Sequence, residues 1–155
     1  MLQATQSLAT FTFTSTWTPA LIGLAEVARL VDEPSVAARL YEGLAAYPDR
    51  MSVISLSLSE MGPISRALGV LAGLQGDHAL AERHFAESLA ICERISSPPH
   101  TTRTQVDLAR VLLDRRAADD VERARELLDA ALPAARELGM GGVLLDILQL
   151  KSALH

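Results

Sequence analysis

The feature that most constrains this chain is a stretch where two helical periods meet at a tight turn. Residues 67–94, Ala-Leu-Gly-Val-Leu-Ala-Gly-Leu-Gln-Gly-Asp-His-Ala-Leu-Ala-Glu-Arg-His-Phe-Ala-Glu-Ser-Leu-Ala-Ile-Cys-Glu-Arg, carry apolar residues at helical spacing on both sides of Gly76-Asp77. Side chains three and four apart share one face of a helix, so each half can bury a stripe against the other. Gly69 and Ala81 are small where two backbones would approach, and Phe85 lies one turn past Ala81 to fill the gap. The pattern predicts a helical hairpin with a small-residue contact and one bulky plug. One hairpin leaves apolar surface uncovered, so copies are expected beside it.

Two weaker copies are present. Ala25, Gly69 and Ala109 align in the first helix of each pair, and Ala37, Ala81 and Ala124 in the second, followed one turn later by Tyr41, Phe85 and Leu128. The second-helix interval is 44 residues and then 43, and the excess over a bare 34-residue unit falls at 49–62, at 95–100 and at Arg115–Ala118.

The remaining punctuation fits this frame. Pro19 suits a first turn, and Leu21, Leu24, Ala25, Ala28 and Val31 recur at helix spacing. Asp32 is expected to cap the next helix, with Pro34 in its first turn and Val36, Ala37, Leu40, Tyr41 and Leu44 as its stripe. Residues 49–62 break the period; Val53-Ile54-Ser55-Leu56-Ser57-Leu58-Ser59 reads as a strand-like connector or a short buried helix, and Gly62-Pro63 restarts the helix. Ser96-Ser97-Pro98-Pro99 forces a second break. Asp119 and Glu122 form a candidate capping box before Ala124, Leu127, Leu128, Ala131 and Leu132. Residues 141–153, with Val143, Leu144, Ile147 and Leu148, read as a capping helix on the end of a stack. Ahead of it all, Thr10 to Thr18 alternates polar and large residues, so residues 1–17 are expected to form an extended arm and 18–155 the helical repeat domain.

Composition narrows function. At 155 residues the chain supports one domain with a real core, and with aromatics at 4% that core is built from Ala, Leu and Val, as close-packed helices require. A net charge of −5 with interspersed signs lacks the basic stripe that phosphate neutralisation needs, which argues against direct nucleic-acid binding. Thirteen of the 14 basic residues are Arg, which reads as a coding bias. A lone Cys92 permits no intrachain disulfide and fits a reducing, cytoplasmic setting. There is no charged leader before the first apolar residues and no apolar run of about 20 residues, so neither a signal peptide nor a membrane span is expected.

Leu68-Gly69, Gly76-Asp77, Ala81 and Phe85 resemble the consensus of the tetratricopeptide repeat. Residues 103–113, 124–131 and Glu137-Leu138-Gly139-Met140 are similar to the C-terminal arrays of bacterial AAA-ATPase regulators, including LuxR-type activators and adenylate-cyclase fusions. The similarity runs from about Trp17 to the end, without the ATPase, the cyclase or a helix-turn-helix; it implies a free-standing relative or an excised piece. The fold so implied is all-α: a right-handed superhelix of about three hairpins plus a C-terminal capping helix.

The chain carries no sequence motif of catalysis, nucleotide binding or metal binding. Gly69 to Gly76 lacks both the Gly-Lys-Ser/Thr ending of a phosphate loop and the dinucleotide glycine spacing. His78, His84, His100 and His155 are scattered, and His84 with Glu87 falls short of a metal site's ligand count. No nucleophile elbow occurs, and Cys92 reads as a small core residue. No catalytic, cofactor or metal residue is expected. In the repeat family the first helices line a groove, which places Ile22, Glu26, Arg29, Arg66, Val70, Arg103, Val106 and Arg110 at or near it. Those arginines either grip an acidic or C-terminal peptide or pair with Glu26, Asp107 and Asp114 on a solvated face. The Lys/Asn carboxylate clamp of chaperone-binding repeats is absent. The expectation is a protein-interaction module of a bacterial regulatory system that binds a peptide or helix, or forms a homodimer through its open ends. The alternative is a ligand-binding or catalytic pocket lidded by Phe11, Phe13 and Trp17.

Overall fold

The computed structural model describes residues 17–54 and 59–154. Helix α1 (Trp17–Leu30) and α2 (Ala37–Leu44) are joined through a 3-10 turn at Pro34–Val36. Two antiparallel strands follow, β1 (Met51–Ile54) and β2 (Ser59–Pro63). Then come α3 (Ile64–Leu74) with α4 (His78–Arg94), α5 (Pro98–Arg115) with α6 (Asp120–Glu137), and α7 (Gly141–Ser152). Each hairpin packs its second helix on the next hairpin's first, while α1, α3, α5 and α7 touch in series along one side. The all-α repeat architecture holds, with a small β-hairpin set between the first two repeats.

The aligned small residues are where the backbones meet. Ala25, Ala37, Gly69, Ala81, Ala109 and Ala124 are all buried, as are Phe85 and Leu128. At Gly69 a Cβ would lie 2.7 Å from Cε1 of Phe85, so glycine is required for the ring to reach the α3 backbone. Tyr41 and Leu74 pack against both apolar clusters, the one built on α1, α2 and α3 and the other running from α3 to α7, and so join them. Asp77 caps α4 by accepting from the Leu80 amide at 3.0 Å, and Gly76 turns the chain at φ +77°.

Several local expectations are corrected. Of the two readings of residues 49–62, the strand-like one holds at Met51–Ile54 and Ser59–Pro63; Met51 pairs with Pro63 and Ile54 with Ser59, with an irregularity between Ser52 and Val53. Gly62, at φ +94°, lies in β2 under the His100 ring, and the helix starts at Ile64. Residues 55–58, like the arm up to residue 16, lie outside the described residues. Asp32 does not cap: it sits at φ +49°, and Glu33 accepts the Ser35 amide instead. The Asp119–Glu122 capping box is not formed, since Asp119 makes no side-chain cap bond. Its neighbour Asp120 takes over, accepting the Ala117 amide at 2.8 Å and binding Arg115 through both carboxylate oxygens at 2.8 and 2.6 Å. The break before α5 is Ile95–Ser97, and Pro98 and Pro99 open the helix where their missing amides cost nothing. Leu24, Val31 and Leu148, expected in buried stripes, are exposed.

Two predictions rest on this packing. Gly69→Ala should destabilise the fold by about 1–2 kcal/mol, because overpacking against a fully buried ring outweighs the gain in helix propensity. Chemical denaturation reads this, and a variant as stable as wild type would contradict the close contact. Arg115 holds the Asp120 carboxyl at about 2, below the ordinary 3.8. The folded state therefore binds this proton less tightly than the unfolded chain, and the stability it brings is complete above about pH 4 and fades as pH falls toward 2. Asp120→Asn should flatten that part of the stability profile by about 1 kcal/mol between pH 3 and pH 6, measured by denaturation at those two values.

Candidate functional site

The first helices bring together the residues singled out from the sequence, and a buried charge bridge organises them. Arg66, in α3, is 4% exposed and pairs with Glu26 of α1 on one side and Asp107 of α5 on the other. Arg29 adds a bond from Nε to Glu26 at 3.2 Å. One residue from each of three successive repeats thus meets at a single guanidinium, whose five donors in a planar fork suit two carboxylates at once. Burial disfavours the charge on Arg66, but Asp107 and Glu26 overcome it and hold the guanidinium firmly protonated. The two carboxyls respond differently. Burial raises Glu26, yet Arg66 and Arg29 outweigh it and draw its carboxyl below the ordinary range. At Asp107, deeper in, burial pushes the carboxyl up against the pull of Arg66.

Two hollows flank this bridge. The smaller, about 260 Å³, is lined by Glu26, Arg29, Arg66, Arg103, Val106, Asp107, Val143 and Asp146. The larger, about 470 Å³, runs between α1 and α5 over α3 and is lined by Arg29, Asp32, Val70, Gly73, Leu74, Phe85, Asp107, Arg110, Val111 and Asp114. A Cβ at Gly73 would lie 2.8 Å from Val111, so this glycine lets α3 and α5 come close and deepens the floor.

Seven of the eight residues expected at or near the groove line these hollows, in unequal roles, and Ile22 does not. Val70 and Val106 are buried at 6% and 2%, and form floor rather than wall; Ile22 is likewise core. Arg66 is committed to the bridge, and Arg29 to Glu26. Arg103 is exposed, while Arg110 faces Asp146 at 3.5 Å, a partner that sequence spacing did not suggest. The arginines do pair with carboxylates, but around Arg66 the pairing is buried instead of solvated.

The second helices hold one arrangement that periodicity missed. Tyr41 Oη lies 2.8 Å from His84 Nε2, and His84 Nδ1 lies 3.1 Å from Glu87. A neutral ring that donates from Nδ1 to Glu87 accepts the Tyr41 proton at Nε2, linking the first two repeats. The His84–Glu87 spacing was legible; Tyr41, 43 positions upstream, was not. Cys92 is fully buried, and burial pushes its thiol up although Ser88, Thr101 and Thr104 lie within bonding reach, so it is a poor nucleophile. Among the described residues no cluster of His, Cys, Asp and Glu could hold a metal ion, and no helix is long and apolar enough to cross a membrane.

Because Arg66 neutralises two carboxylates away from water, removing it leaves buried charge unpaired. Arg66→Ala should cost about 3–5 kcal/mol in unfolding free energy, whereas replacing all three partners by apolar residues of similar volume should cost much less. Denaturation of the single and triple variants tests this; equal losses would refute the bridge.

The hairpins with their small–small–bulky contacts and the groove on their first helices agree with what comparison with known proteins finds. A family model described as "Tetratricopeptide repeat" matches residues 60–137, half of the chain. No curated protein and no solved structure matches the chain. The match spans β2 to the end of α6, covering the second and third hairpins and the groove residues Arg66, Val70, Arg103, Val106 and Arg110, and the chain belongs to the tetratricopeptide repeat family.

Proposed function

We propose that the chain is a protein–protein interaction module of a bacterial, cytoplasmic regulatory system, binding a peptide or a helix along the groove of α1, α3, α5 and α7. Repeats of this family generally mediate protein–protein interaction. The resemblance of residues 103–113, 124–131 and 137–140 to the arrays of large regulators supports the regulatory part of the reading. Self-association through the open ends of the array belongs to the same reading.

The observation that carries the groove is Arg110. Its Nε is buried with no hydrogen-bond partner among the described residues, and its buried Nη2 has only the ion pair with Asp146 at 3.5 Å. A buried donor without a partner beside a hollow favours a ligand that brings an acceptor, and a guanidinium suits a carboxylate or a peptide carbonyl. Arg103 adds an exposed cation, and Val70, Leu74 and Val111 supply an apolar floor for the ligand's side chains. Fixed acidic groups at Asp32, Asp114 and Asp146 keep the groove from being a general anion trap, so the favoured ligand carries apolar anchors with one or two acidic groups.

The test avoids Arg66, whose loss would unsettle the fold. Peptides selected from a displayed random library on the full chain should bind Arg103→Ala/Arg110→Ala at least about tenfold more weakly, with the folding transition unchanged. Selected peptides that bind the double variant as tightly as wild type would remove the groove from consideration.

A further inference from the structure

The larger hollow has two walls built to one plan. On α1, Arg29 is followed three residues later by Asp32; on α5, Arg110 is followed four residues later by Asp114; all four line the hollow. As first helices of their hairpins, α1 and α5 run in the same direction, so on both walls the aspartate stands about one turn beyond the arginine. The hollow therefore has a basic end and an acidic end, with Val70, Leu74 and Val111 as floor between them.

The two ends differ in what they leave to bind. At the basic end, Arg29 is held by Glu26, and Arg110 meets Asp146 through one nitrogen while its Nε has no partner among the described residues. At the acidic end, Asp32 and Asp114 are exposed, and the side chain of neither makes an ion pair or a hydrogen bond among the described residues. This is also the end at which α1, α3 and α5 finish, at Leu30, Leu74 and Arg115. Aligned peptide dipoles put partial negative charge at helix C-termini and favour a cation there. The basic residue that closes α5, Arg115, is turned to Asp120 and Glu82 instead.

We propose that the peptide bound here carries three side chains in the order basic, apolar, acidic. A lysine or arginine stands between Asp32 and Asp114, an apolar side chain lies on the floor, and a carboxylate meets Arg110. This rests on the groove reading above and adds to it a required cation and a polarity. Arg110 and Asp114 are four residues apart, about 6 Å along their helix. An extended peptide covers that distance in two residues, and its side chains point alternately to opposite sides. A triplet thus turns its two charged side chains toward the walls and its central one to the floor. A purely acidic segment would set like charge against Asp32 and Asp114, and a purely basic one against Arg110, so the walls select against both.

Peptides selected on the full chain from a displayed random library, then synthesised with acetylated and amidated ends, should share a Lys/Arg–apolar–Asp/Glu triplet. In such a peptide, replacing the basic residue by Gln should weaken binding to wild type about fivefold and leave binding to Asp32→Asn/Asp114→Asn unchanged. Asparagine keeps the shape of both side chains and accepts the φ of +49° at position 32, and thermal unfolding checks that the variant folds as wild type does. Selection on Asp32→Arg/Asp114→Arg should return an acidic residue at the same place. Peptides that lose affinity for Arg103→Ala/Arg110→Ala yet carry no basic residue would overturn the required cation and leave the groove. So would a basic residue that counts equally against wild type and the asparagine variant. Peptides that ignore the arginines, or no binding peptide at all, would overturn the groove reading and this inference with it.

Discussion

The bare backbone at Gly69 against the Phe85 ring is the contact on which the rest of the array depends. A side chain there would hold α3 and α4 apart, and the ring that now fills the hairpin would have to leave it. Because α3 and α4 lie close, α3 presents Arg66 and Val70 to the groove while α4 presents its other flank to α5 through Ser88. The flanking hairpins use alanine where the second uses glycine, and Tyr41 and Leu128 where it uses Phe85. The family match covers 60–137 and so misses the first hairpin.

The charge bridge decides what the groove can offer. Lysine at position 66 could not have satisfied carboxylates from both sides in fixed directions, whereas a guanidinium does so through separate nitrogens. Its charge is thereby used in joining three repeats. In the proposed reading, recognition falls to the rim, where Arg103 is exposed and Arg110 Nε has no hydrogen-bond partner among the described residues, and to the valine and leucine floor. A groove that appears strongly cationic as a list of residues is close to balanced once its acids are in place.

The first repeat stands apart at both of its borders. Toward the second repeat, β1 and β2 occupy the connection, and the amide of Ile64 donates to the Arg50 carbonyl at 2.9 Å, tying the hairpin's entrance to the start of α3. Away from it, α1 carries an apolar face that inner repeats bury and this one exposes. The two features give the first hairpin a different surface from its sisters although its packing residues follow the same register.

Sequence alone determined the number of hairpins, their small–small–bulky contacts and the turn at Gly76-Asp77. Those are consequences of helical period and residue volume, which are local. Tertiary structure decided the rest. Leu24 and Val31 continue a helical stripe yet lie outside, because periodicity shows that a face is apolar and not whether a neighbour is there to cover it. Asp120 replaced Asp119 as the acid of its turn because Arg115, at the end of the previous helix, reaches it in space. Tyr41 met His84 across 43 residues, and Arg66 met Glu26 and Asp107 across about 40 on either side. Pairing between charges is set by which helices stack, and stacking distances are not written in the spacing of any one helix.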